Sequence, residues 1–191
     1  YYWKLNYEET NINENEFKDN FFNLFEQSIN THFRSDVPVG IYLSGGIDST
    51  SIAYVASKNL KYRNLTAFNL NFGNSTFSED QEAKETAKKL NIKLISHEIE
   101  LDDQIKKVNS LIDNFDEPLS DPAYLAKGMI SEIAKNYDFK VMISGDGGDE
   151  LFGGYEPFLK LNIYNNIKRS KFLKNLIKIY LLIIRLYFLD Q

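Results

Sequence analysis

The chain has 191 residues, 43% apolar and 26% charged, the make-up of a globular domain long enough to bury one substantial core. Its net charge of −5 argues against a general nucleic-acid binder, since such domains are usually basic. With no cysteine, disulfides, thiolate metal sites and a cysteine nucleophile are excluded within these residues, and only two histidines, His32 and His97, argue against a histidine zinc site.

Residues 1–15 are polar and rich in Asn and Glu, and read as a linker. Their opening, Tyr1-Tyr2-Trp3-Lys4, lacks the charged start and apolar run of a signal peptide, so the expected location is the cytoplasm. Over 14–34, Phe17, Phe21, Phe22, Leu24, Phe25, Ile29 and Phe33 recur at helical spacing and predict a long helix. Ser35-Asp36-Val37-Pro38 stops it, because the residue before a proline is pushed out of the helical region. A strand is expected over 39–43, then the loop Ser44-Gly45-Gly46-Ile47-Asp48-Ser49, then a helix over 49–59. A second strand is expected over 65–72 and a helix from Ser78-Glu79-Asp80-Gln81 to Leu90, its acidic first turn suiting the helix dipole. A third strand over 92–99 and a helix over 101–114 follow. Asp116-Glu117-Pro118-Leu119-Ser120-Asp121-Pro122 is a loop fixed by two prolines. A helix over 123–136 and a fourth strand over 139–143 lead into Ser144-Gly145-Asp146-Gly147-Gly148-Asp149-Glu150. Strands alternating with helices of this length predict an α/β fold, a parallel sheet with helices on both faces.

From Lys160 onward the balance reverses to about +6, leaving about −11 for the rest. Lys171, Lys174, Lys178 and Arg185 share one face of an expected amphipathic helical tail. The longest uncharged apolar run in the tail is far short of a membrane span. The tail reads as a helix awaiting a protein surface, with a membrane-surface helix as the alternative.

The two glycine loops carry the chemistry. A strand passing through Ser-Gly-Gly into a helix offers a nest of backbone N–H groups at a positive helix end, a natural phosphate site. Each loop also carries aspartate, which would repel a phosphate unless a divalent cation lay between them. Together they predict a magnesium nucleotide held at two strand ends, where ligands sit in sheets of this kind. Walker A chemistry is excluded, because no Gly-Lys-Ser/Thr follows. Asp48 and Asp149 are the natural oxygen ligands for Mg2+, which takes one or two carboxylates with phosphates and water. The bland alternatives are a simple turn with Asp48 or Ser49 as helix cap, and, for the 116–122 loop, a proline-bracketed turn. His97, at a strand end, reads as a surface residue.

The first loop resembles the pyrophosphate loop of the ATP-pyrophosphatase superfamily. The second, running on through Leu151-Phe152-Gly153-Gly154-Tyr155, resembles the signature of the asparagine synthetase family, as do residues 35–40 and the 116–122 loop. The resemblance covers residues 1–158 and weakens through the basic tail. It implies an adenine nucleotide alpha-hydrolase-like, Rossmann-like synthetase domain over 16–158, with 159–191 the helical start of a further portion. It further implies that Mg-ATP activates the aspartate side chain as β-aspartyl-AMP with release of pyrophosphate, after which ammonia displaces AMP. Ser44, Gly45, Gly46, Asp48 and Ser49 would hold the pyrophosphate. Tyr42, Leu43 and Leu70 would flank the adenosine, while Ser144 and Gly145 contact the nucleotide. Asp48 and Asp149 would carry Mg2+. Asp146 stands where many members of the family have glutamate and would assist proton removal from ammonia. Glu117 and Asp121 are candidates for the substrate's α-ammonium group.

In the family a glutaminase domain with an N-terminal cysteine supplies the ammonia, and the synthetase domain continues well beyond a stretch of this length. The chain therefore reads as a fragment, expected to bind Mg-ATP weakly and to turn over little or nothing unaided. The acceptor carboxylate, the nitrogen donor and the oligomeric state are left open, a homodimer being one option. Rival readings are a related carboxylate-activating amidotransferase, a β-lactam-forming or peptide-cyclising synthetase, and a non-catalytic nucleotide-binding fragment.

Overall fold

The computed structural model describes residues 4, 11–58, 64–71, 73, 79–99, 108, 112, 116 and 123–169. The chain divides into two compact units, Tyr1–Gly145 and Asp146–Gln191. The expected helix over 101–114 lies almost wholly outside the described residues. So do Glu117, Asp121 and the tail charges Lys171, Lys174, Lys178 and Arg185.

In the first unit, α1 (Glu14–His32) starts where Asn13 caps it: the Asn13 side-chain oxygen Oδ1 accepts from Glu16 N at 2.9 Å, and Asn13 Nδ2 donates to the Glu16 carboxylate. The chain continues through β1 (Val39–Tyr42), α2 (Ile47–Lys58), β2 (Thr66–Asn71), α3 (Asp80–Leu90), β3 (Lys93–Glu98), α4 (Ala123–Asn136) and β4 (Val141–Ile143). The left-handed C-cap Asn91 (φ 54°) turns the chain from α3 into β3 in two residues. All strand pairings are parallel, in the order β3-β2-β1-β4.

The inner position of β1 and β2 matches where the buried residues fall. Side chains alternate across a strand, and β2 is buried on both faces whereas the edge strand β3 is largely exposed. On one face Ile41, Leu43 and Ala67 pack with Ile29 and Phe33 of the α1 end, Ile52, Ala53 and Ala56 of α2, and Ala83 and Ala87 of α3. On the other, Phe68 and Leu70 pack with Met129, Ile130 and Ala134 of α4. Phe68 is fully buried there, its ring edge-on to Phe139 at 5.1 Å. The expected parallel sheet with helices on both faces is therefore what the chain forms.

The stripe on α1 is only half used. Ile29 and Phe33 are buried, whereas Phe17, Phe22 and Leu24 are exposed. Phe17, Phe21 and Phe25 stack along the helix, with centroids 6.3 and 5.6 Å apart. Of the expected stripe, Phe25, Ile29 and Phe33 meet the core, whereas Phe22 and Leu24, beside Phe21 and Phe25 in sequence, lie off that face.

In the second unit the described residues form a short helix α5 (Gly148–Phe152) and a longer α6 (Glu156–Arg169). Gly147, at φ 92°, precedes α5, and Leu151 N donates to its carbonyl at 3.1 Å. No helix among the described residues is long and apolar enough to cross a membrane.

Candidate active site

The strand order places β1 between β2 and β4. The chain winds outward from β1 through β2 to β3, then crosses back to lay β4 on β1's other side. The direction of winding thus reverses between β1 and β4, and in parallel sheets the crevice beyond that reversal is where ligands bind. Residues 43–49 leave the end of β1, and Ser144 and Gly145 leave the end of β4, so both segments open onto this crevice.

The first loop is held by its own hydroxyls. Ser49 is buried, and its Oγ donates to Gly46 O at 3.2 Å while accepting from Ser44 N at 3.3 Å. A serine hydroxyl has one proton, so the 3.1 Å contact between the two serine oxygens is a bond from Ser44 to Ser49. Ser44 Oγ in turn accepts from Gly46 N at 3.1 Å, a serine turn that folds the chain back on itself. Thr50 closes the loop from the helix side, with N donating to Gly46 O at 3.0 Å and Oγ1 to Gly45 O at 3.3 Å.

Gly46 O accepts the first helical bond of α2, so the N–H groups of Ile47, Asp48 and Ser49 form its first turn and have no acceptor four residues back. The expected helix start at residue 49 is two residues late. Asp48 and Ser49 lie inside the first turn, which brings the Asp48 carboxyl, half-buried, to the helix's positive end.

Glycine is required where the loop meets its neighbours. Gly45 has φ 95°, and a Cβ on it would lie 2.6 Å from Glu82 Cβ and 3.0 Å from Ala83 N, so the loop backs directly onto the first turn of α3. That turn is fixed from below by a polar cluster centred on Asp80. Its Oδ1 accepts from Ser96 Oγ on β3 at 2.6 Å and from the buried Asn69 Nδ2 on β2 at 3.1 Å; Lys84 pairs with the other oxygen. Burial raises the Asp80 carboxyl, but the bonds from Lys84 and Ser96, the Lys84 charge and the Asn69 bond together hold it below its ordinary value. By sequence Asp80 is marked only as a helix-dipole acid. Its partners, 11 and 16 residues distant, leave no local pattern to find.

The remaining expected nucleotide contacts are spread around this end of the sheet. Leu43 and Leu70 are both buried, on opposite faces, so their side chains belong to the core. Tyr42 points to the α4 face, where its hydroxyl lies 2.7 Å from Ser131 Oγ, which donates onward to Lys127 O. His97 is exposed at the end of the edge strand β3, as expected.

The acidic loop belongs to the second unit from Asp146 on. There the half-buried Asp149 carboxylate lies over Gly154, where any Cβ would overlap it, and Gly154 N donates to Asp149 O at 3.0 Å. Tyr155 donates its hydroxyl to Glu150 Oε1 at 2.8 Å. Among the described residues no group of three or more His, Asp or Glu is gathered as a metal cage. Asp48 and Asp149, each within its own unit, carry hard carboxylate oxygens. That chemistry suits Mg2+, which keeps several waters and shares its shell with phosphates.

A family profile described as asparagine synthase matches residues 20–180. Asparagine synthetase [glutamine-hydrolyzing] 1 of Bacillus subtilis (strain 168) is 39% identical over 157 residues, covering 82% of this chain and 24% of that protein. Asparagine synthetase [glutamine-hydrolyzing] of Zea mays is 34% identical over 154 residues, covering 72% of this chain and 25% of that protein. The chain thus spans about a quarter of the length of these curated relatives. Among solved structures, NH3-dependent NAD synthetase from Campylobacter jejuni aligns with a TM-score of 0.45 and 17% identity, over 75% of this chain and 61% of that one.

Proposed function

The chain belongs to the asparagine synthase family, and from that premise we propose that it forms the nucleotide-binding part of an enzyme that amidates the side-chain carboxylate of aspartate at the expense of ATP. The observation that carries this reading is the loop at the end of β1. It is a serine-locked, glycine-seated turn entering a helix at the point where the sheet's winding reverses, with a carboxylate in the first helical turn. Those parts suit a pyrophosphate leaving group better than any other ligand.

In this reading the N–H groups of the first turn of α2 face the β- and γ-phosphates of ATP, and the loop's rigidity holds them in place before the ligand arrives. Ser44, whose proton goes to Ser49, would turn its hydroxyl to a phosphate oxygen when the nucleotide binds. Ser49, committed to Gly46 and Ser44, serves the loop's shape. A carboxylate oxygen of aspartate attacks the α-phosphorus in line; the bond to the bridging oxygen breaks and pyrophosphate leaves, giving β-aspartyl-AMP. Ammonia then attacks the activated carbonyl carbon, and AMP departs with an oxygen that came from aspartate. Asp146 takes the proton that ammonia loses. Mg2+, held by Asp48 and Asp149, would neutralise the phosphate charge. Ser144 and Gly145, at the end of β4, border the nucleotide on the other side, with Tyr42, Leu43 and Leu70 setting the strand ends around the adenosine. Glu117 and Asp121 are assigned to the α-ammonium group of aspartate. Ammonia from glutamine requires a glutaminase domain, the part that the relatives' names imply and the present residues do not supply.

The test is a stoichiometric incubation of the 191-residue chain with Mg-ATP, ammonium and aspartate labelled with 18O in its side-chain carboxylate. AMP carrying one labelled oxygen is the expected product. Formation of ADP, or of unlabelled AMP alone, would contradict adenylation of the carboxylate.

A further inference from the structure

We propose that Asp80 is a positioning residue for the phosphate loop, tying the first turn of α3 to β2 and β3 so that this turn forms the seat of Gly45. The inference rests on the reading of residues 44–49 as the pyrophosphate loop and adds a residue to it that touches no ligand.

Little else fixes α3. It contributes only Ala83 and Ala87 as buried side chains, with Leu90 partly buried against the same cluster. Small side chains let a helix approach the sheet closely but resist sliding or rotation poorly, because they interdigitate little. Yet the first turn of α3 has to stop at one place. A Cβ on Gly45 would meet Glu82 Cβ, Ala83 N and Glu79 O all within 3.2 Å, so the loop and this turn are in direct contact. A shift of α3 by a fraction of an ångström would press on the loop or leave it unsupported.

Asp80 supplies the missing constraint. Its side chain is only 13% exposed and reaches two different strands, Asn69 on β2 and Ser96 on β3, through one oxygen. A short charge-assisted bond is strong and directional, unlike the apolar contacts beside it. Glu79 and Glu82, also near this helix start, are exposed and could satisfy the helix dipole without reaching the sheet. Lys84 is half exposed and lies four residues on in the same helix, so its pair with Asp80 does not tie α3 to the sheet. The strand-side oxygen therefore does the positioning.

The experiment uses the 191-residue chain and three variants, Asp80→Ala, Asp80→Asn and Ser96→Ala, and reads two quantities. One is amide hydrogen exchange across residues 44–50 compared with β1 and β2. The other is the affinity for inorganic pyrophosphate in the presence of Mg2+. Asp80→Ala is expected to speed exchange in the loop about tenfold while the strands keep their protection, and to weaken pyrophosphate about tenfold. Asp80→Asn keeps an oxygen for Ser96 and Asn69 and should stay close to the parent in both. Ser96→Ala should fall between, and it carries the test should Asp80→Ala fail to fold. Uniformly faster exchange through the sheet in Asp80→Ala, or loop exchange equal to the parent's, would overturn the proposal. So would an Asp80→Asn variant as impaired as the alanine. Should the parent itself fail to bind pyrophosphate while the exchange pattern holds, the loop's assignment falls and the positioning role of Asp80 stands.

Discussion

Gly145 stands directly against Asp48: a Cβ on Gly145 would lie 2.8 Å from the Asp48 Cβ and 3.1 Å from Ser49 N. The end of β4 thus rests on the first turn of α2, and the two strand ends bordering the crevice are in contact through a glycine. Gly145→Ala should push that turn aside at a local cost of about 1–3 kcal/mol. The expected result is at least tenfold weaker Mg-ATP binding by calorimetry, with a melting temperature lowered by only a few degrees.

Gly45 and Gly46 are adjacent but not equivalent. Gly45 combines φ 95° with the close approach to Glu82 and Ala83, whereas a Cβ on Gly46 would meet only Ser44 Oγ, at 3.3 Å. Gly45→Ala should cost about 1–3 kcal/mol in urea unfolding, through strain and overlap together. Gly46→Ala should cost clearly less in the same measurement.

Ser49 shapes the loop from inside. Ser49→Ala removes the acceptor for Ser44 N and the donor to Gly46 O at a buried position. A loss of about 1–2 kcal/mol of unfolding free energy is expected. Ser49→Cys, which keeps a weak donor and acceptor, should recover part of it.

The Asp80 carboxyl gives a pH signature. Its folded value lies below the ordinary 3.8, because its bonds from Lys84, Ser96 and Asn69 outweigh the effect of burial. A carboxyl with a depressed folded value stabilises the fold above its unfolded value, and that contribution is lost as pH falls through the folded one. The parent should therefore exceed Asp80→Asn in unfolding free energy at neutral pH, and the gap should shrink as pH is lowered below 3.8. Urea unfolding at a series of pH values reads this directly.

Much of this was legible in the sequence because it is local. Apolar runs of strand length, helical spacing between them and two strand-to-helix glycine loops were enough to predict a parallel sheet covered on both faces. The order of residues 44–49 alone pointed to phosphate. What escaped is long-range. Asp80 finds Asn69 and Ser96 only after β2 and β3 have paired, and Tyr42 meets Ser131 across 89 residues. The aromatic spacing of α1 carried no mark of where the core stops. Ser49 resembles a cap by type, which sets the expected start of α2 two residues late; its hydroxyl reaches back to the loop from inside the helix.

The central claim is that residues 44–49 bind the phosphates of ATP with Asp48 serving the metal, and the direct measurement is a calorimetric titration of the 191-residue chain with Mg-ATP. Saturable binding by the parent is predicted, with Asp48→Ala at least about tenfold weaker, the loss expected when one charged partner of a bound ligand is removed. No saturable binding by the parent, or equal affinity in Asp48→Ala, would contradict the account.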